Sequence, residues 1–136
     1  ALSGRSGEIS TFTAEKPALW KGRRVVVLVD RGTLGAAEVL ATVLKQKITA
    51  ELVGERTFGY AGRVAMADLS SGGRLVYTDA FFTGPDREKI RKSLVPDTPV
   101  DERSRTFDQK DRPISDLILD RGLDRALAEE AAKRAA

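Results

Sequence analysis

Residues 25–44 constrain this chain more than any other stretch. They open with Val25-Val26-Val27-Leu28-Val29, five apolar residues in a row, four of them β-branched. Such a run suits a strand covered on both faces. Gly32 and Gly35 then bracket a short turn, where the backbone must bend sharply. From Ala36 the period becomes helical. Glu38, Thr42 and Lys45 fall at i, i+4 and i+7 and form one polar stripe. Ala36, Ala37, Val39, Leu40, Ala41, Val43 and Leu44 fill the rest. The pattern predicts a mostly buried helix whose wet edge is the polar stripe. Strand, turn and helix together aim a helix N-terminus, with its free N–H groups, at the end of a sheet. Enzymes often place a nucleophile or an anion there.

Composition narrows the chemistry. The 136 residues are enough for one domain with a real core, and 41% hydrophobic with 32% charged residues is a globular balance. No run approaches the roughly 18 apolar residues of a membrane span. Ala1-Leu2-Ser3-Gly4 reads as an arbitrary start, so the chain is expected to belong to something longer. There is no cysteine, which excludes disulfides and thiolate metal sites. There is no histidine, which excludes Ser-His-Asp and Cys-His catalysis and His-based zinc motifs. No metal or cofactor is expected, and a serine hydrolase built here would need lysine as its base. The net charge is +3 and bases gather only weakly, at Lys21-Gly22-Arg23-Arg24 and Arg87-Glu88-Lys89-Ile90-Arg91-Lys92. With 6% aromatics, these read as solvated surface and no nucleic-acid partner is expected.

Residues 7–13 predict a short strand with Ile9 and a neighbouring aromatic turned inward. Residues 17–22 predict a turn into the central strand, with Trp20 as a packing anchor. Residues 50–55 read as a second strand. Strand, helix and strand at this spacing predict a right-handed βαβ unit with a parallel pair. Residues 56–62 are a loop with two glycines. Residues 63–69 alternate, with Val64 and Met66 on one face. Ser70-Ser71-Gly72-Gly73 makes a hairpin turn, and residues 74–82 return. Thr83-Gly84-Pro85-Asp86 ends the sheet and residues 94–100 form an extended exit. Residues 101–113 read as a linker and 114–136 as a C-terminal helical segment. There Pro113-Ile114-Ser115-Asp116 would cap a first short helix and Gly122 would interrupt it. A strong helix from 123 would use Leu123 and Leu127 as contacts.

Three segments together resemble the C-terminal processing (tail-specific) serine peptidases. They are Val29-Asp30-Arg31-Gly32-Thr33-Leu34-Gly35-Ala36-Ala37-Glu38; Val53-Gly54-Glu55-Arg56-Thr57-Phe58-Gly59-Tyr60-Ala61-Gly62; and Tyr77-Thr78-Asp79-Ala80-Phe81-Phe82-Thr83-Gly84-Pro85-Asp86 with Leu94-Val95-Pro96-Asp97. Order and spacing agree from about residue 2 to residue 100. The resemblance implies an α/β fold of the crotonase and ClpP-like kind. Here that would be a portion of the domain, at residues 1–100: the βαβ unit plus the β-hairpin, with a C-terminal helix. It also implies a PDZ domain upstream, a polypeptide substrate or partner, and an extracytoplasmic compartment (periplasm or cell envelope).

The resemblance further implies a serine three residues before the helix glutamate, a lysine base after Thr-Phe-Gly, and a glutamine four residues on. This chain has Gly35, Tyr60 and Val64 at those places. Glycine has no attacking group, tyrosine with its pKa near 10 is a poor substitute for a desolvated amine, and valine cannot hydrogen-bond. The expectation is a peptidase-like domain that lacks peptidase chemistry and retains peptide binding by strand addition at the sheet edge near residues 56–69. Gly59, Tyr60, Gly62 and Arg63 would line it, beside backbone oxyanion donors at Gly35 and Ala36. Two alternatives stay open. Thr33, two residues before Gly35, could be a displaced nucleophile in an active enzyme completed by upstream sequence, although a hydroxyl there also suits a turn or helix cap. Lys45 and Lys47 sit too far along the helix to serve it. The helix N-terminus at Gly35 could instead hold a small anion. An α/β domain lacking its upstream strands would expose sheet surface or pair it with another copy, making a homo-oligomer.

Overall fold

The structure, a computed structural model, describes residues 1–13, 15–16, 20 and 22–135, the side chains of 129–135 excepted. The chain opens as a hairpin, β1 (Leu2–Gly4) with β2 (Gly7–Ser10). The valine-rich run forms β3 (Val26–Val29), followed by α1 (Ala36–Ile48) and β4 (Glu51–Gly54). β3 and β4 are parallel, with Val26 opposite Glu51 and Val29 opposite Gly54. A long hairpin follows, β5 (Gly62–Asp68) and β6 (Arg74–Phe82). The chain then returns as β7 (Thr98–Pro99), parallel to β4. A single turn of 3-10 helix at Glu102–Ser104 leads towards α2 (Leu117–Ala135).

Two sheets result: a parallel one ordered β3-β4-β7 and an antiparallel one ordered β2-β1-β6-β5. Side chains alternate along a strand, so the parallel sheet has two separate coats. Val27, Val29 and Leu52 face α1 and form the core with Ala41 and Leu94. Leu28 faces α2, where Gly122 lets the helix come close: a Cβ at 122 would lie 2.3 Å from Leu28 Cδ2. Both faces of β3 are therefore covered, although its place at the sheet edge leaves Leu28 partly exposed.

The C-terminal helix departs from expectation. It runs unbroken from Leu117, with the Asp116 carboxylate accepting the Leu119 N–H at 3.0 Å as an N-cap. Gly122 is buried inside it rather than a break. Ile118, Gly122 and Arg125, at i, i+4 and i+7, face the sheet, while Leu123 and Leu127 point outward. The smallest residue is used for contact and the leucines for solvent, because close approach to Leu28 leaves no room for a larger side chain.

Glu51 ties this helix down. Its carboxylate accepts from Arg125 Nε at 2.6 Å, Thr98 Oγ1 at 2.7 Å and Arg24 Nη2 at 2.8 Å. The Arg125 hydrogen bond, against the opposing effect of burial, holds the Glu51 carboxyl below its ordinary value; Thr98 and the charges of Arg125 and Arg24 add to it. A depressed folded-state pKa stabilises above the unfolded value and is lost as pH falls through it. Thermal melts should therefore show stability falling with acid below about pH 5. Glu51→Gln should flatten that fall and cost stability at pH 7. A variant with the same acid slope as the parent would contradict the assignment.

The β5–β6 hairpin forms at the expected place, closed by Leu69 N–H to Gly73 O at 2.8 Å. Val64 stands opposite Thr78 and Met66 opposite Val76, with a register shift between Arg63 and Val64. Val64, Met66 and Val76 share one exposed face, and Leu75 and Tyr77 are exposed on the other. β5 is a sheet edge. Three expected inward-facing residues are corrected. Ile9 is half exposed rather than turned in, and Phe12 is exposed beside Phe82, ring centroids 6.3 Å apart. Trp20 is 51% exposed rather than packed as an anchor. The expected turn at 17–22 lies mostly outside the described residues. Among the described residues no helix is long and apolar enough to cross a membrane.

Candidate functional site

The polar stripe of α1 faces inward, not outward. Glu38 is wholly buried and Thr42 nearly so, while Leu40 is 57% exposed. Of the stripe only Lys45 reaches the surface, where it pairs with Asp97 at 2.6 Å. Hydropathy alone assigns the opposite face. The inversion holds because the Glu38 carboxylate finds three donors. Oε1 accepts from Thr57 Oγ1 at 2.5 Å and Gly59 N–H at 2.6 Å; Oε2 accepts the Tyr60 N–H at 2.7 Å. It also sits in the first turn of α1, where the helix dipole favours negative charge. A buried carboxylate so satisfied loses little by leaving water. Residue-type reasoning missed Glu38; a lone acid in the first helical turn, among alanines, was the available signal.

Glu38 thereby holds the 57–60 loop against the turn that precedes α1. Two further bonds lock them. The Gly35 N–H donates to Tyr60 O at 3.0 Å, and the Phe58 N–H donates to Thr33 O at 3.0 Å. Gly35 and Tyr60, 25 positions apart in sequence, are thus direct neighbours. Gly35 adopts φ 63°, ψ −123° at the start of α1, a backbone that side-chain-bearing residues rarely take. A Cβ added there would meet nothing within 4 Å. The place is open but conformationally strained, as in the strand-to-helix elbows that present nucleophiles.

The other predicted residues fall as follows. Thr33 lies on the same turn, but its hydroxyl donates to Asp30 Oδ1 at 2.8 Å and accepts the Asp30 N–H at 3.0 Å. The Gly35 N–H, expected as an oxyanion donor, is taken by Tyr60 O; Ala36 opens the helix beside it. The Tyr60 hydroxyl pairs with Thr78 Oγ1, and its ring packs edge-on to Phe81 at 5.9 Å. Tyr60 therefore lies along the hairpin. Val64 is exposed on β5. Gly59 is pressed against the 92–93 segment: a Cβ there would lie 2.6 Å from Ser93 N. Gly62 is pressed against Thr78 and the Tyr60 ring. These two glycines serve packing and leave no room for a ligand at their Cα atoms. Arg63 is engaged by Asp79 through Nε at 2.9 Å and Nη2 at 2.5 Å, and that hydrogen bond holds the Asp79 carboxyl below its usual range.

Beside the loop a crevice of about 860 Å³ opens at the carboxyl ends of the parallel strands, between Arg31, Arg56, Phe58, Val95 and Arg103. Open α/β sheets place ligands there. Among the described residues no group of three acidic side chains is placed to hold a metal ion.

Residues 3–100 match the model of peptidase family S41. The carboxyl-terminal-processing protease of Synechocystis sp. is 37% identical over 99 residues, 72% of this chain and 23% of that protein. The chloroplastic C-terminal processing peptidase of Tetradesmus obliquus is 34% identical over 101 residues, 74% of this chain and 22% of that protein. The chain thus spans about a quarter of the length of these curated relatives. Among solved structures, a putative peptidase from Parabacteroides merdae superposes with a TM-score of 0.58 at 21% identity, over 78% of this chain and 32% of that one, which is a likeness of fold. The match runs through the Gly35 turn, the Tyr60 loop and the hairpin, and on it the chain belongs to peptidase family S41.

Proposed function

We propose that this chain is part of a C-terminal processing peptidase-like protein that binds polypeptide but carries no peptidase chemistry on its own residues. One observation supports this most. Gly35, with no side chain, stands at the strained elbow, hydrogen-bonded to Tyr60 at 3.0 Å. By the resemblance those two places belong to a serine and its lysine base. The tyrosine hydroxyl is spent on Thr78, and Val64 replaces the glutamine. The frame is kept without its reacting groups. What remains is the unpaired edge of β5, whose backbone N–H and C=O groups suit an extended peptide added as a further strand. An upstream PDZ domain and an extracytoplasmic compartment belong to the same proposal.

Neither alternative gains from the geometry. Thr33 has its hydroxyl closed into a local ring with Asp30, the arrangement of a turn cap. An anion at the α1 N-terminus would have to compete with Tyr60 O for the Gly35 N–H. The test is direct. Incubated with an unfolded, carboxyl-terminally tagged polypeptide, the protein is expected to leave it intact. Cleavage that disappears in Thr33→Ala would overturn the proposal. Activity that appears only with Gly35→Ser and Tyr60→Lys together would support it.

A further inference from the structure

We infer that the crevice at the carboxyl ends of β3, β4 and β7 selects acidic polypeptide segments; this rests on the reading that the chain binds polypeptide. A second hollow of about 410 Å³ shares Arg56, Phe58 and Val95 with the crevice and adds Arg91 and Lys92. The joined surface carries five cations, Arg31, Arg56, Arg91, Lys92 and Arg103, against two carboxylates, Glu55 and Asp101. Both carboxylates are taken, Glu55 by Arg31 at 2.9 Å and Asp101 by Arg103 at 3.0 Å. Arg91 stacks its guanidinium 4.1 Å over the Phe81 ring, which leaves its charge uncompensated. Arg56 and Lys92 have no carboxylate partner among the described residues. Three positive charges are thus presented without a counter-charge.

Between these cations lie two exposed apolar side chains, Phe58 at 66% and Val95 at 55%. Acidic side chains with an apolar residue among them match that alternation. A compact inorganic anion does not, because the cations are spread around an apolar floor instead of converging. Single-stranded nucleic acid would call for successive stacking rings, and the surface offers one.

The surface is also held in shape. The Thr57 N–H donates to Leu94 O at 3.2 Å, and the Leu94 N–H donates to Thr57 Oγ1 at 2.8 Å. These bonds join the wall at 56–59 to the wall at 91–95. Thr57 in turn donates to the buried Glu38. The crevice is therefore continuous with the Gly35–Tyr60 contact, and a peptide leaving it past Gly59 arrives at the start of β5.

Fluorescence anisotropy tests the inference. The probes are a fluorescein-labelled Gly-Glu-Leu-Glu-Glu-Phe-Glu-Leu-Glu-Gly amide and its counterpart with glutamine for every glutamate. The acidic probe should bind about ten-fold more tightly at low salt, the sum of two exposed ion pairs, and the gap should close as salt rises. Arg56→Glu with Lys92→Glu should abolish the preference and leave the glutamine probe unchanged. Equal binding of the two probes, or a preference that survives the double variant, would overturn the inference. Versions of both probes N-methylated at alternate residues, unable to add to a sheet edge, separate this from the reading beneath it. Equal affinities that both vanish on methylation defeat charge selection and keep strand addition. A charge preference indifferent to methylation keeps the crevice and defeats strand addition.

Discussion

Glu38→Ala is expected to lower stability by about 4 kcal/mol, or to leave the chain unfolded at ambient temperature. The substitution removes the acceptor of three bonds and leaves the Thr57 hydroxyl and the Gly59 and Tyr60 amides. Each unsatisfied buried donor costs about 1–3 kcal/mol, and relaxation of the 57–60 loop into water recovers part of the sum. Glu38→Gln keeps one acceptor oxygen but turns an amide N–H₂ towards a donor, so an intermediate loss of about 2 kcal/mol is expected. Denaturant midpoints would read the size. Amide hydrogen exchange would read the place, since protection at Gly59 and Tyr60 should fall furthest. A Glu38→Ala protein within about 1 kcal/mol of the parent would mean that the carboxylate is not what holds the loop.

Gly54→Ala should cost about 3 kcal/mol or more for a different reason. Gly54 is buried at the end of β4 with φ 132°, and a Cβ there would lie 1.9 Å from the carbonyl oxygen of Val29. That oxygen cannot swing aside. It accepts the Glu55 N–H at 2.9 Å, while Gly54 O accepts the Val100 N–H at 2.8 Å. Relief requires β3 and β4 to part at their carboxyl ends, directly under the crevice and the Asp30 turn. Gly72 supplies the control. Its φ is 83° but nothing lies within 4 Å of an added Cβ, so Gly72→Ala carries backbone strain alone, about 1 kcal/mol. If the two variants melt together, the clash at Gly54 is not real.

The same contrast separates what was legible along the chain from what was not. The hairpin could be read because its evidence is local. Ser70-Ser71-Gly72-Gly73 supplies the turn and the flanking residues alternate, so Val64 falls opposite Thr78 and Met66 opposite Val76. The parallel pair could be read because a valine run, a glycine turn and a helix leave a following strand few other places. The approach of Gly35 to Tyr60 was implied only by the resemblance to the peptidases, whose serine and lysine stand at that separation. Ile9, Trp20 and Gly122 depart from what their residue types usually do. For Gly122 the outcome depends on a neighbour distant in sequence. Gly122 is buried because Leu28, 94 positions earlier, leaves its helix no space. The crevice was equally out of sight, since Arg31, Arg56, Arg91 and Arg103 meet only when four separate connections converge.

By itself, then, the order of residues determined the strand, the bend and the helix between residues 25 and 44 and the hairpin at 62–82, because backbone preference and periodicity act over a few residues. Which way α1 turned was decided by tertiary structure alone. Periodicity marks Glu38 and Thr42 as one face and cannot tell whether that face is wet. The 57–60 loop brings a hydroxyl and two amide N–H groups to Glu38, and those donors replace the water that a carboxylate otherwise requires.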